Sequence, residues 1–388
     1  MFRFLLVFCT IYGGVNLYFF SKVTQAFHPG WRGSLALGVG LVLLVFGPFL
    51  VRWLERAEWL LTAHALALAA YTWMAVMLWF FSIALPSDVW NLAVRALSFR
   101  WPPLTRALIE PRVLLLAWAA FSAVAGAWGA IEAHGLRLER LNLSTEHLKP
   151  GARLRILQIS DVHLGLLERA GRLRQIERLV DRTQPDLLVS TGDLVDGTAT
   201  RMDDLARTLA GIHPPLGKVA VFGNHEYYVG LDASLRFHAL AGFKVLRGEA
   251  LRVNDGLRLV GIDDPAASRA NLEPRGDETK LLAGDGGAPG GGVTLLLKHR
   301  PWINEASLGK FDLQLSGHTH KGQIFPFSLL VRLQYPRLAG LFDLGHGSRL
   351  YVSRGTGTWG APMRLGAPPE VTLITLQSSA EREARRTE

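Results

Sequence analysis

Four long segments without a single Asp, Glu, Lys or Arg lie in the first third of the chain, and they limit its possible folds more than any other feature. They cover residues 4–21, 33–51, 60–87 and 113–131. A helix needs about 20 apolar residues to cross the hydrocarbon core of a bilayer, and the Trp and Tyr residues near the segment ends suit the membrane interface. The pattern predicts a multi-pass transmembrane region of about four spans over residues 1–135. A buried, all-helical domain is the alternative.

The charges near these segments indicate a cell-membrane location but not an orientation. The first span is interpreted as an uncleaved helix rather than a signal peptide, because further spans follow it. Four spans place both ends of the region on one side. Basic residues are almost equally frequent on the two sides, so the side of the following domain stays undecided. The formal charge is +9, but the Arg and Lys residues are scattered and several lie between spans, where they suit lipid headgroups. No nucleic-acid partner is expected.

From about residue 136 the pattern changes to short apolar runs that alternate with amphipathic helices. Predicted strands cover residues 153–160, 186–191, 218–222, 293–298 and 312–316, and predicted helices cover residues 168–182, 202–212 and 232–241. Alternation of this kind predicts an α/β sandwich. The glycine-rich residues 284–292 are expected to form a surface loop, and residues 378–388 a charged tail. The predicted soluble domain therefore covers residues 136–377.

Polar side chains suited to metal binding follow all five predicted strands. They are Asp161 and His163, then Asp193 and Asp196, then Asn224 and His225, then His299, and finally His318 and His320. The carboxyl ends of strands in α/β proteins form the edge at which ligands bind. Oxygen and imidazole donors suit Mn, Fe or Zn. The only cysteine, Cys9, lies in an apolar segment, which excludes a thiolate cluster and a disulfide framework.

Each of these motifs has an ordinary explanation when it is taken alone. The sequences at residues 161–163 and 192–196 are compatible with simple turns, Gly223-Asn224 is a common turn dipeptide, and His299 could be a core histidine. Two histidines at i and i+2, as in His318 and His320, are a stronger signal. The prediction of a metal centre rests on all five motifs occurring in order, each at a strand end.

The series closely resembles the calcineurin-like metallophosphoesterases, whose signature is D-x-H, G-D-x-x-D, G-N-H-D/E, a lone His and G-H-x-H. The segments LQISDVHLG at 157–165, SGHTHKGQIFPF at 316–327 and LYVSRGTGTWGAPMRLGAPPE at 350–370 resemble a bacterial branch often found with membrane anchors. The resemblance covers roughly residues 137–376. Lys321 departs from it, because that branch commonly has Gly there. The resemblance implies a four-layered αββα sandwich.

The resemblance also implies a role for each motif residue. One metal would be bound by Asp161, His163, Asp193 and His320, and the second by Asp193, Asn224, His299 and His318. Asp193 would bridge the two divalent cations, and a metal-bound hydroxide would attack the phosphate ester. His225 would contact phosphate or protonate the leaving oxygen, and Asp196 would orient His225 or the ligands.

Other polar residues are weaker candidates. Arg300 and Arg354 could hold a phosphate oxygen, or they could form surface salt bridges. Asp263 and Asp264 could line the edge of the site, although a turn before Pro265 is the simpler explanation.

These observations predict a membrane-anchored phosphoesterase with two divalent metals. Its substrate would be a phosphomonoester, a phosphodiester or a pyrophosphate. A lipid-linked or envelope substrate is a candidate, because a tether raises the effective concentration of such substrates. A catalytically silent membrane sensor or scaffold with the same fold is the alternative. Transport through the helices is a third hypothesis, which the scarcity of charges within the spans disfavours.

Overall fold

The computed structural model describes residues 2–168, 170–197, 202–284 and 292–379. Most of the predicted glycine-rich loop, residues 285–291, and most of the predicted tail, residues 380–388, lie outside these ranges. The described chain divides into two compact units. The first contains the amino-terminal helices together with Gly360–Leu365, and the second contains the remainder.

The first unit is built from four long helices, and each predicted apolar segment lies inside one of them. The helices are α1 (Phe2–Phe27), α2 (Trp31–Arg56), α3 (Leu60–Ser98) and α4 (Pro111–His134), with a 3-10 turn at Pro102–Ala107 between the last two. By length and composition, all four could cross a membrane. Aromatic side chains pack between helices: the Phe19 ring contacts the rings of Trp73, Phe80 and Trp118.

The second unit contains two mixed sheets of six strands each. The strands are β1 (Arg137–Thr145), β2 (Arg153–Ile159), β3 (Leu187–Ser190), β4 (Lys218–Ala220), β5 (Lys244–Val245), β6 (Glu249–Asn254), β7 (Leu257–Gly261), β8 (Val293–Leu297), β9 (Leu313–Ser316), β10 (Gly340–Gly345), β11 (Ser348–Val352) and β12 (Glu370–Ser378). The first sheet has the order β1-β12-β2-β3-β4-β5, and the second has the order β10-β11-β9-β8-β7-β6. The five predicted strands are confirmed as β2, β3, β4, β8 and β9.

Parallel pairing brings these five strands together in two groups. In the first sheet β2, β3 and β4 are parallel neighbours, and in the second sheet β8 pairs with β9 in parallel. Parallel neighbours end at the same edge of a sheet. The loops after β2, β3 and β4 therefore leave one sheet side by side, and the loops after β8 and β9 leave the other in the same way.

This unit contains seven α-helices among the described residues, and not all of them pack on a sheet. They are α5 (Ala170–Thr183), α6 (Asp203–Ala210), α7 (Asn224–Val229), α8 (Leu231–Leu240), α9 (Ala266–Arg269), α10 (Glu278–Ala283) and α11 (Phe327–Gln334). The three predicted helices are confirmed as α5, α6 and α8. Each has an apolar face that packs on the first sheet.

Alternation along single strands creates the layers. Ile156 of β2 joins the core between the two sheets, whereas its neighbour Leu157 joins the core beneath α5, α6 and α8. In the second sheet, Leu259 points to the shared core and Val260 packs outward with Leu282 of α10. Successive strand residues point to opposite faces, so each sheet has one face for its partner sheet and one for helices. The predicted αββα sandwich is confirmed.

Candidate metal centre

The loops that follow the five parallel strands bring nine predicted site residues into one region. Asp161 and His163 follow β2, Asp193 and Asp196 follow β3, and Asn224 and His225 begin α7 after β4. His299 follows β8, and His318 and His320 follow β9. Seven of these residues are buried in the second unit, and Asp196 and His318 are partly exposed. The fold thus gathers residues from five separate chain segments.

Two groups of donor atoms are close enough to bind one cation each. Asp161, His163 and His320 form the first group, in which all donor atoms lie within 4.8 Å of one another. The Asp161 Oδ1 to His320 Nε2 distance is 3.4 Å, and the two Nε2 atoms of His163 and His320 are 3.1 Å apart. Ligand atoms about 2 Å from a shared ion lie about 3–4 Å from one another, so this spacing fits a bound metal.

The second group consists of Asp193, His299 and His318. His299 Nε2 lies 3.1 Å from Asp193 Oδ2 and 3.1 Å from His318 Nδ1. The same Asp193 Oδ2 atom is 3.9 Å from Nε2 of His163, which belongs to the first group. Asp193 therefore lies between the two groups, where a bridging carboxylate is expected to lie.

Unsatisfied polar atoms support metal binding independently of these distances. Oδ1 of Asn224 and Nδ1 of His163 are buried and have no hydrogen-bond partner among the described residues. A buried polar atom left in this way costs about 1–3 kcal/mol. A cation would satisfy the Asn224 oxygen. Together with the oxygen and imidazole donors, this orphaned oxygen shows that the residues fit a pair of divalent metals.

Burial and neighbouring charges keep two of the histidines neutral. Burial lowers the pKa of His163 to about 3, helped by the charge of His225, and it lowers the pKa of His318 to about 2, helped by His299. Burial also disfavours the charged form of His299, but the Asp193 carboxylate outweighs it and raises the pKa of His299 to about 10. A neutral imidazole presents the lone pair that a metal requires, so His163 and His318 are ready to act as ligands.

His225 has the environment of a group that holds a proton. Its Nδ1 lies 3.1 Å from Oδ1 of Asp196, and its backbone N–H donates to Oδ1 of Asp193 at 2.8 Å. Burial opposes the charged form, but Asp196 and then Asp193 outweigh it and raise the pKa of His225 to about 9. The exposed rings of Tyr228 and Trp359 lie 5.3 and 5.9 Å from the His225 ring. The ring is therefore oriented by a carboxylate and bordered by aromatic side chains.

Two glycines of the motifs permit close approaches to the carboxylates. A Cβ atom at Gly223 would overlap the Asp193 carboxylate, and a Cβ at Gly317 would overlap Ser160 and the Asp161 carboxylate. Any larger residue would displace a predicted ligand. The glycines of G-N-H and G-H-x-H are thus required by the packing around the metal ligands.

Glu226 is a structural residue of the site for which the motif alone suggests no role. Its carboxylate accepts hydrogen bonds from the backbone N–H groups of Asp193 (2.9 Å) and Gly223 (2.7 Å) through Oε2, and from Leu194 (2.7 Å) and Val195 (3.3 Å) through Oε1. Burial, and then the charge of Asp193, raises the pKa of Glu226 to about 7. The acidic residue after G-N-H therefore ties the β3 turn to the start of α7.

The arginines considered as phosphate ligands are paired with carboxylates. Arg300 Nε donates to Oδ2 of Asp264 at 2.7 Å, and Arg354 pairs with Glu370 and Glu139. Both arginines are mostly buried, so these ion pairs are not the surface salt bridges considered from the sequence.

The Asp263–Asp264 pair lies inside the fold. Oδ2 of Asp263 accepts from Arg247 Nη2 at 2.9 Å, and its Oδ1 accepts from the Tyr227 hydroxyl at 2.7 Å. Asp264 pairs with Arg300. Both aspartates are buried, and Oδ1 of Asp264 accepts from the backbone N–H of Ala266 at 2.8 Å, so the turn suggested by the sequence is present and lies inside the fold. Their carboxylates hold arginines in place.

The match to known proteins agrees with this geometry. A sequence model of the calcineurin-like phosphoesterases matches residues 154–322. An uncharacterized metallophosphoesterase of Aquifex aeolicus is 42% identical over 253 residues, which make up 65% of this chain and 96% of that protein. The chain belongs to the calcineurin-like phosphoesterase family. The resemblance found in the motifs is confirmed.

Other relatives share a smaller part of their length with the chain. A transmembrane protein with metallophosphoesterase domain from Danio rerio is 35% identical over 243 residues, which cover 58% of this chain and 54% of that protein. The chain thus spans about half of that relative. The solved NAD nucleotidase of Haemophilus influenzae is 16% identical and covers 54% of this chain and 46% of that one, with a TM-score of 0.38. Likeness at this level carries no information about the substrate.

Family members normally bind two divalent metals, and this chain has a His and Asp donor set for each. It carries the phosphoesterase domain together with four helices long and apolar enough to cross a membrane.

Proposed function

We propose that this calcineurin-like phosphoesterase is a membrane-anchored hydrolase with a two-metal centre. One observation carries the proposal: Asp193 lies between two donor groups, each compact enough for a single divalent cation. Asp161, His163 and His320 would complete one metal site, and Asn224, His299 and His318 would complete the other. Mn, Fe or Zn suits this combination of oxygen and nitrogen donors.

The protein side chains supply positioning and proton transfer. When bound, two divalent cations lower the pKa of a water molecule and neutralise charge on the phosphate. Asp193 would contribute to holding both cations, because a shared carboxylate offsets their mutual repulsion. His225 carries a proton on a ring that Asp196 orients at 3.1 Å, and it donates this proton to the leaving oxygen of the ester.

The helical region sets the environment of the reaction. We assign residues 1–135 to a multi-pass membrane region and residues 136–377 to the phosphoesterase domain. The lengths and apolar composition of α1–α4 support membrane spanning. A membrane tether raises the effective concentration of lipid-linked or envelope phosphate esters, so we propose that the substrate belongs to that class.

Hydrolysis of bis-p-nitrophenyl phosphate by the full-length protein in detergent, with added Mn²⁺, tests the reaction class. The parent is expected to be active and to bind about two Mn per chain, measured by mass spectrometry of the metal. Asp193→Ala and His318→Ala are expected to lose activity and metal. Asp255→Ala and His213→Ala change exposed residues outside the site and serve as matched controls.

Two results would contradict the proposal. If Asp193→Ala and His318→Ala hydrolysed the ester as fast as the controls, the assigned centre would be wrong. If the parent bound metal but left phosphomonoester, phosphodiester and pyrophosphate probes intact, a catalytically silent scaffold would be the better description.

A further inference from the structure

Helix α11 presents an apolar surface to solvent. Within this fully described helix, none of the eight residues is buried. Leu333 is 82% exposed, Leu329 and Leu330 are each 58% exposed, and Phe327 is 44% exposed. These four residues define the α11 surface. A helix this short is marginal in water without packing partners, and contiguous exposed apolar side chains on a folded domain mark an interaction site.

The helix is anchored at both ends. Ile324 before it and Tyr335 and Leu338 after it are buried, and the Thr319 hydroxyl donates to the Leu338 carbonyl at 2.6 Å. The folded domain therefore holds α11 in place while the α11 surface points away from the core. An apolar surface that is fixed in this way is suited to docking.

Charge around the helix indicates the kind of partner. Between Asp312 and Asp343 the chain contains no acidic residue, whereas it contains Lys321, Arg332 and Arg337. Both arginines are exposed. Exposed leucines beside arginines, with no carboxylate in the same stretch, complement an anionic lipid surface: apolar groups enter the interface and cations meet headgroup phosphates. A second copy of the same surface would bring like charges together.

We propose that the α11 surface docks on the anionic lipid surface of the membrane in which the chain is anchored. This inference rests on the proposed membrane anchoring, which supplies the bilayer at high effective concentration, so that a small surface is sufficient. Arg332 and Arg337 contact headgroup phosphates, and Leu330 and Leu333 enter the interface.

Docking also has a consequence for the metal centre. The Tyr335 ring, directly after α11, lies 5.2 Å from the His318 ring, and the turn that carries His318 and His320 leads into the helix. A docked α11 therefore places the metal centre beside the headgroup layer, where phosphate esters of lipids lie.

Site-specific fluorescence on the full-length protein tests the docking. Because Cys9 is the only cysteine, Cys9→Ser combined with Leu333→Cys gives one labelling position for an environment-sensitive NBD dye. Leu240→Cys, which replaces a 40% exposed leucine of α8, is the matched control. Each protein is reconstituted into vesicles of phosphatidylcholine and phosphatidylglycerol with spin-labelled lipid. The label at position 333 is expected to emit at shorter wavelength and to lose about half of its intensity by lipid quenching. The label at position 240 is expected to resemble a label in water.

Equal emission and quenching at positions 333 and 240 would overturn the proposal. It would also be overturned if the label at position 333 were shielded from water but insensitive to spin-labelled lipid, because a protein partner or second copy would then cover the helix. A second test replaces Arg332 and Arg337 by Gln: quenching should fall in vesicles that contain phosphatidylglycerol and stay unchanged in pure phosphatidylcholine. If the Gln substitutions left quenching unchanged in the vesicles that contain phosphatidylglycerol, the proposed role of the arginines would be refuted.

The same samples separate this inference from the proposed function. Labelled Leu240→Cys protein should hydrolyse bis-p-nitrophenyl phosphate at the parental rate, since position 240 lies outside both the metal ligands and the α11 surface. If the parent protein did not hydrolyse the ester, the phosphoesterase proposal would be refuted. The fluorescence result would still decide whether the α11 surface docks on lipid. Protein that does not float with the vesicles would refute the anchoring on which the docking depends.

Discussion

Glu226 is expected to determine the stability of the site, because one carboxylate accepts four backbone hydrogen bonds from two loops. Glu226→Ala leaves those N–H groups in the protein interior without an acceptor. Each unsatisfied group costs about 1–3 kcal/mol, and water that enters the vacated space offsets part of this, so the lower end of the range applies. The expected loss is about 4 kcal/mol. For a domain of this size, this is a fall in Tm of about 10 °C.

Glu226→Gln is expected to have an intermediate effect. Oε1 and Oε2 each accept two of the bonds, and an amide keeps one oxygen but turns an NH₂ group toward the other two donors. About half of the loss, or about 2 kcal/mol, should result.

Thermal unfolding of the full-length protein in detergent measures both changes. Glu249→Ala, which removes an exposed carboxyl on β6, is the control and should change stability by less than about 0.5 kcal/mol. If Glu226→Ala unfolded at the same temperature as Glu249→Ala, the explanation from hydrogen bonds would be wrong.

The proton donor, one buried ion pair and one buried histidine each give a further prediction. His225→Asn should lower kcat for bis-p-nitrophenyl phosphate about a hundredfold or more with the metal content unchanged; an unchanged kcat would exclude His225 from proton transfer. Asp263→Ala leaves Arg247, whose side chain is 9% exposed, without its carboxylate, and should destabilise the protein by about 3–5 kcal/mol in thermal unfolding. Adding Arg247→Met should restore part of that loss, and no recovery would contradict the electrostatic explanation. Burial lowers the pKa of His238 to about 4, so the unfolded chain, with a pKa of about 6.5, binds the proton more readily and stability falls as the pH drops from about 6.5 toward 4. Between pH 7 and pH 5 this effect should destabilise the parent by about 2 kcal/mol, and His238→Leu should abolish that part of the destabilisation. The exposed control His213→Leu should be destabilised by as much as the parent. Equal pH profiles of stability for the parent and His238→Leu would refute this.

The parts of the fold that sequence reasoning predicted are those with local signals. Runs such as residues 153–160 contain Leu and Ile at close spacing and are followed directly by a ligand motif, so both the strand and the site at its end can be found without knowledge of the strands with which it pairs. The face of α5 is similarly local, since Leu173, Ile176 and Leu179 recur at helical spacing and all are buried. Five strands and three helices follow from this kind of signal.

Seven strands of the described chain were not predicted, and for β1 and β5 the reason is that the strand each one pairs with is remote in sequence. β1 is a mixture of polar and apolar residues at a sheet edge, and it is stabilised by parallel pairing with β12, where Arg137 lies opposite Glu370. β5 contains only two residues. Neither segment has a pattern that distinguishes it from a loop until its neighbour is known.

The site shows the same division. Its donor residues were identified from motifs, but the supporting contacts depend on distant chain segments. Glu226 bonds to backbone groups about 30 positions earlier, and Arg300 pairs with Asp264, 36 positions away. Such pairings arise from the packing of two loops, and no spacing rule in the sequence reports them.

The predicted metal ligands adopt a left-handed backbone conformation, and this conformation has an energetic cost. Asp161, His163, Asp193, His318 and His320 all have positive φ, between 47° and 71°. This region costs an L-residue about 1 kcal/mol, whereas glycine adopts it freely. A chain under selection for thermal endurance alone would therefore drift toward glycine at these positions and lose its ligands. Aspartate and histidine at these positions therefore lower the stability of the local backbone, and the proposed metal ligation is the function that this cost would serve.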